Sequence, residues 1–129
     1  MRLQDRIVRA VIPAADLDRA RAFWEGKLGF VPTRVLETGI FYDCADSSLV
    51  LSRSSGAGTS QATVAAFVSD DLEADVAALK SMGITFEEYD YPTLKTVGSM
   101  AWVGPVHAAW FKDSEGNLIG IIQFADPAV

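Results

Sequence analysis

The sequence predicts an α+β domain made of two copies of one strand–helix–strand–strand–strand unit, and three observations carry that prediction. Short β-branched and aromatic runs alternate with two segments of helical spacing. The order of elements in the first half recurs in the second. The helical segments also align directly: ADLDRARAFWEGKLGF (residues 15–30) lies over DDLEADVAALKSMGIT (70–85). Asp16-Leu17 falls on Asp71-Leu72 and Leu28-Gly29 on Met82-Gly83, with a one-residue indel between the two anchors. A duplicate of this kind makes structural sense, because one unit alone leaves a sheet face it cannot bury.

Each element follows in order. RIVRAVIP (6–13) is β-branched and short, and reads as a strand. Asp16 stands at the N-cap of the first helix, where its carboxylate can accept orphan backbone N–H groups. Leu17, Ala20, Phe23, Trp24 and Leu28 then recur at helical spacing, and Gly29 ends the helix. FVPTRVLE (30–37), IFYDCA (40–45) and SLVLSR (48–53) read as three strands joined by turns at Thr38-Gly39 and at Asp46-Ser47-Ser48. SSGAGTSQ (54–61) is a small, polar, flexible linker. The series restarts with a strand in ATVAAFVS (62–69), a helix in 70–84 and a strand in TFEEYD (85–90). A long irregular stretch leads to HAAWFKD (107–113) and NLIGIIQF (117–124), which form a hairpin about Gly116-Asn117. The expected organisation is one domain over 1–129, with module one at about 5–54 and module two at about 62–125.

Composition narrows the partners. The chain has 129 residues, half of them hydrophobic, and a formal net charge of −6. That balance argues against nucleic acid or an anionic membrane as partner, since either needs a basic patch. It is compatible with a cationic small ligand, although an ordinary acidic surface accounts for it more simply. Cys44 is the single cysteine, so no intrachain disulfide can form, and in a strand it reads as a small buried hydrophobe. No signal-peptide pattern or membrane-length apolar run is present, so the expected location is cytoplasmic.

VIPAADLDRARAFWEGKLGF, FVSDDLEADVAALKSMGI and WFKDSEGNLIGI, in this order and at this separation, resemble the vicinal oxygen chelate superfamily, also called the glyoxalase/bleomycin-resistance/dioxygenase family. The resemblance implies paired βαβββ modules forming a curved, mostly antiparallel cup. Two modules, from one chain or swapped between two, would enclose the ligand cavity, and a homodimer is the usual form. The family's enzymes hold a divalent metal there, with a His or Gln on the first strand of each module and a Glu on the last. Carried over by position, these ligands fall on Arg9, on Val64 (or Thr63), on Leu51 and on Gly120. Arginine is a permanent cation without an acceptor, and the apolar positions have no lone pair to offer. A shift of one residue does not rescue the set. The resemblance therefore points to the metal-free, bleomycin-resistance-like branch, with no metal and no cofactor.

The hairpin keeps its turn where the family's carboxylate would stand, yet Gly120 takes that place. With the turn centred on Glu115, Gly120 lies across from Trp110 on the same face of the sheet, so Trp110 becomes an aromatic wall or plain core. Arg9 either contacts a carboxylate, phosphate or carbonyl of a ligand or forms an internal ion pair. Phe41 and Tyr42 point to opposite faces, so one should face the cup, and Tyr42 is the candidate. Residues 87–107 are long for a connection and carry Tyr89, Tyr91, Trp102 and the single histidine, His107. The expected ligand-binding set is thus Arg9, Tyr42, Tyr89, Tyr91, Trp102, His107 and Trp110, with no catalytic residue. The expected function is non-catalytic sequestration of a planar or hydrophobic ligand, cationic drugs among the candidates, in an aromatic-lined groove of a homodimer. The alternative is a metal-dependent or metal-independent lyase, isomerase or dioxygenase with relocated residues. It would draw its base from His107, Glu37, Glu87, Glu88 or Asp90.

Overall fold

The computed structural model describes residues 1–126. A 3₁₀ turn at Leu3–Asp5 precedes β1 (Ala10–Ala14). Asp16 caps the helix that follows, its carboxylate accepting from the Arg19 N–H at 3.1 Å. That helix, α1, runs over Leu17–Arg21 and continues as a π-helical turn over Ala22–Lys27, where the Leu28 N–H donates to the Phe23 carbonyl. β2 (Pro32–Val35), β3 (Gly39–Cys44) and β4 (Ser47–Arg53) complete the first module. The second contains β5 (Thr63–Val68) and α2 (Leu72–Ser81), the latter capped by Asp71 through the Ala74 N–H. A small hairpin of β6 (Asp90–Tyr91) and β7 (Leu94–Lys95) follows, then β8 (Ala101–Val103), β9 (Val106–Lys112) and β10 (Leu118–Phe124).

The two four-stranded sheets have the orders β1-β4-β3-β2 and β5-β10-β9-β8. In each, the first strand pairs parallel with the last and the other pairs are antiparallel. The duplication seen in the sequence is therefore a duplication of topology. The indel has a physical site as well: the π turn takes up the one residue by which the first helical segment exceeds the second. Gly29 and Gly83 both end their helices with positive φ, at +78° and +90°, which only glycine adopts without strain.

Three expectations are corrected in detail. The first strand begins at Ala10 and not at Arg6: its pairing with β4 starts with Ala10 against Leu49, and Ile7 and Val8 before it lie exposed. TFEEYD forms no continuous strand: Phe86 makes a bridge to Phe111, the Glu87 N–H bonds the Trp110 carbonyl, and only Asp90 enters a strand, β6. The linker is anchored rather than free, since the Gly58 N–H donates to Asn117 Oδ1 at 3.2 Å.

One core joins both modules. It lies on the helix-bearing faces of the sheets, where alternation turns Ile12 and Ala14, Ile40 and Tyr42, Ala109 and Phe111, and Ile119 and Ile121 inward. Trp24 sits at its centre, fully buried, with the Phe30 and Phe67 rings 5.3 and 6.2 Å away. The hairpin turn fastens module two to α1: Glu115 takes the Asp16 N–H and the Arg19 guanidinium, and Asp113 accepts from the Trp24 indole. Asn117 Nδ2 donates to the Pro13 carbonyl at 2.7 Å. With their helix faces joined, the sheets turn their opposite faces outward, and Val11 and Val68 there are 61% and 69% exposed. No helix among the described residues is long and apolar enough to cross a membrane.

Candidate functional site

The outward face of the second sheet carries the densest aromatic surface. β9 and β10 pair Trp110 with Gly120, the register that a turn centred on Glu115 requires. A Cβ placed on Gly120 would meet Thr63 Cγ2 at 3.3 Å, Ala66 Cβ at 3.6 Å and Trp110 Cδ1 at 3.6 Å. The glycine thus leaves the space beside the indole open. The Tyr89 ring meets Trp110 edge-to-face at 5.6 Å, and Tyr91 stacks on Tyr89 at 6.1 Å. The backbone fixes this row: the Tyr89 N–H donates to Thr96 Oγ1, and the preceding Glu87 N–H donates to the Trp110 carbonyl. Burial, with the Glu87 charge second and the Tyr91 charge third, raises the Tyr89 phenol above its ordinary pKa. It therefore remains a neutral hydrogen-bond donor at physiological pH.

On the first sheet the equivalent face carries Arg9 and Phe41, the guanidinium lying 5.5 Å from the ring centroid. Arg9 is exposed and forms no ion pair among the described residues, which removes the internal-pair reading of that side chain.

The topology fixes where the positions implied for a metal fall. Val11 pairs with Val50 and Ala66 pairs with Gly120. Val11 and Ala66 each stand five residues before the capping aspartate, so Val50 is the true counterpart of Gly120. Leu51 faces the core, fully buried, and is corrected on that ground. The outward set is then Arg9, Val50, Val64 and Gly120, and none of the four has a side-chain atom able to ligate a divalent cation. Among the described residues no group of three His, Cys, Asp or Glu is placed to hold one. These residues do not fit the metal of the family's enzymes.

The remaining candidates are dispersed. Tyr42 shares its face with Ile40 and is fully buried under α1, donating its hydroxyl to Glu25 Oε2 at 2.8 Å; Phe41 has the outward place. Burial and the Glu25 carboxylate raise the Tyr42 phenol far above its ordinary pKa, as suits a structural peg. His107 pairs with Gln123, whose amide reaches the Leu72 N–H and the Asp70 carbonyl at the start of α2, so both stand on the helix-bearing face. Trp102 pairs with His107 and stacks on it at 4.4 Å. The structure thus brings together Trp110, Tyr89 and Tyr91, places Arg9 on the like face of the other module, and sets Tyr42, Trp102 and His107 apart. Phe41 was the missed residue, and strand alternation in IFYDC was its only signal. A cavity of about 760 Å³ between the first module and β5 is walled by Leu28, Phe30, Ser48 and Phe67 and holds none of these candidates.

The family model described as Glyoxalase/Bleomycin resistance protein/Dioxygenase superfamily matches residues 6–121. Among curated proteins no sequence matches the chain. Solved structures do. A glyoxalase/bleomycin resistance protein/dioxygenase from Alicyclobacillus acidocaldarius is 21% identical with a TM-score of 0.70, over 99% of this chain and 98% of that one. A lactoylglutathione lyase from Agrobacterium tumefaciens is 20% identical with a TM-score of 0.65, over 92% and 93%. TnmS3, an antibiotic binding protein from Streptomyces sp. CB03234, is 22% identical with a TM-score of 0.65, over 93% and 96%. At these identities the likeness is one of fold.

Proposed function

We propose that this chain, which belongs to the Glyoxalase/Bleomycin resistance protein/Dioxygenase superfamily, is a non-catalytic binding protein that sequesters a planar or hydrophobic small molecule against an aromatic wall. The observation that carries the reading is the exchange at Gly120. The family's carboxylate is absent, and the space beside it is bounded by Trp110, with Tyr89 and Tyr91 continuing the wall. Flat apolar ligands gain most from such a surface, through burial and ring stacking. Antibiotic binding by TnmS3 is a precedent within the same fold.

The partner is a second copy of the chain. Each module's outward face is open, with Val11 and Val68 exposed, while the helix faces are spent on the internal core. A homodimer that sets the Arg9–Phe41 face of one protomer against the Trp110–Tyr89 face of the other would close a groove and exclude water from the ligand.

The test is equilibrium dialysis of a panel of flat aromatic drugs and dyes against the wild type and Trp110→Ala, with metal analysis of the same protein and light scattering for its mass. Binding without turnover, weakened by at least about tenfold in Trp110→Ala, is the expected result. Stoichiometric metal together with turnover of a bound compound would replace this reading with an enzyme.

A further inference from the structure

Beside the aromatic wall lies a cleft of about 560 Å³ that the wall alone does not explain. Its floor is the end of β9 and β10, at Lys112 and Leu118, and one side is the Tyr89–Tyr91 stack. The other side is the inter-module linker, at Thr59, Ser60 and Gln61. That side is built, not draped. A Cβ on Gly58 would stand 2.6 Å from the Glu115 carbonyl, and one on Gly116 would stand 3.3 Å from Gly58 Cα. Linker and hairpin turn therefore pack backbone to backbone, which only glycines permit, and the Gly58 N–H bond to Asn117 locks the approach.

The chemistry of the cleft differs from that of the wall. Glu87 and Lys112 face each other at 4.0 Å, so their charges compensate and the cleft presents no surplus sign. Both remain partly exposed and at the outer limit of contact. Such a pair contributes little to the fold and is free to hydrogen-bond an intervening group. The carboxylate accepts, the ammonium donates, and the Gln61 amide does both. Ser60 Oγ accepts from the Ala62 N–H and keeps its own proton to donate. Donors and acceptors thus both line a space flanked by tyrosine rings. Hydroxyl groups, which donate and accept at once, match that set better than any ion does, and the C–H face of a sugar ring matches the tyrosines.

We propose that this cleft is the subsite for a neutral, hydroxyl-rich ring, a glycosyl group, carried by the flat ligand that stacks on Trp110. The proposal rests on the aromatic-wall reading above. Its test uses two matched pairs of probes, methylumbelliferone with its β-glucoside and resorufin with its β-glucoside. Each is titrated by calorimetry into the wild type, Trp110→Ala and the double variant Gln61→Ala/Lys112→Met. In the wild type the glucoside binds about tenfold more tightly than its aglycone. In the double variant that ratio falls towards unity, and Trp110→Ala weakens both members of each pair. Equal affinity for aglycone and glucoside in the wild type, with Trp110→Ala still weakening both, overturns the subsite and leaves the wall. A ratio preserved in the double variant overturns its assignment to this cleft. Failure of all four probes to bind overturns both the subsite and the wall.

Discussion

Replacing Glu115 by glutamine should loosen the joint between the two modules, and by an amount that depends on pH. The Glu115 side chain is fully buried in the hairpin turn and its carboxylate is fully engaged. It accepts the Asp16 N–H at 2.8 Å, the Arg19 Nε at 2.8 Å, the Arg19 Nη2 at 3.0 Å and the Ser114 hydroxyl at 2.9 Å. The bond from Arg19 is the main cause that brings its pKa down to about 2, from 4.5 for an ordinary glutamate; burial opposes the shift, and the Asp16 and Ser114 donors add to it. The difference amounts to ~3 kcal/mol at ~1.4 kcal/mol per unit. Arg19 is half exposed, and solvent screening of its charge brings the expected contribution to ~2 kcal/mol. A folded pKa below the unfolded one means that this stability is fully present above pH 4.5 and is lost as pH falls from there towards 2. Urea unfolding of the wild type and Glu115→Gln, at one protomer concentration, should therefore differ by ~2 kcal/mol at pH 6. The gap should narrow by more than half by pH 3. Every other carboxylate titrates in both proteins, so the difference isolates Glu115. A gap that is the same at both pH values, or no gap at all, would refute the view that this turn clamps the modules.

Four further outcomes follow from named contacts. Gly58→Ala should cost ~1–3 kcal/mol in urea unfolding, because φ is +71° and the added methyl meets the Glu115 carbonyl; it should also shift binding of any probe that reaches the cleft. Gly120→Ala should leave stability within ~1 kcal/mol, since its nearest contact of 3.3 Å is to a side-chain methyl, while the Trp110 emission maximum and aromatic-probe affinity change. Tyr42→Phe should destabilise by ~1–2 kcal/mol through loss of the bond to Glu25 and should leave probe binding as it was, which dialysis checks. Trp24→Phe should lower the unfolding midpoint and lose ~2 kcal/mol or more, because it leaves a void in the core and removes one of the two hydrogen bonds to Asp113 Oδ2, seen in a urea titration.

Much of the fold could be read because its signals are local. Asp16 and Asp71 mark helix starts by what a carboxylate does for free N–H groups, and Gly29 and Gly83 mark helix ends by the φ they adopt. The pairing of Trp110 with Gly120 follows from counting outward from a turn. Part of the site could be read for the same reason, since that register sets Trp110 beside Gly120 on one face of the sheet. What could not be read depends on contacts between distant residues. Phe41 and Tyr42 are equally credible as the outward residue until the direction of the strand's two faces is known, and that is set by the shared core in which Ile40 and Tyr42 pack. A long connection makes His107 and Trp102 credible site residues, yet β8 pairs with β9 and draws them to the helix-bearing face. The linker reads as flexible from its small polar residues, whereas its glycines serve close packing on the hairpin turn.

The hairpin that ends the chain divides its labour along its length. Asp113, Glu115 and Asn117 all spend their side chains on the helix side, holding the Trp24 indole, the α1 N-terminus, the Pro13 carbonyl and the linker. Three residues beyond Asn117, the Cβ direction of Gly120 points the opposite way, toward Thr63, Ala66 and Trp110, and has no part in the clamp. A carboxylate can be lost there without disturbing the clamp, because the two faces of a strand share a backbone but not their side-chain contacts. This is why the turn persists in a chain whose four outward positions cannot ligate a metal. It also separates the two kinds of variant in experiment. Changes at Glu115 should move stability and its pH dependence, with binding following only as the fold is lost. Changes at Trp110 should move binding while the unfolding curve stays near that of the wild type. If Trp110→Ala instead unfolds the protein as severely as Trp24→Phe, the indole is part of the core and the aromatic wall does not exist as a site.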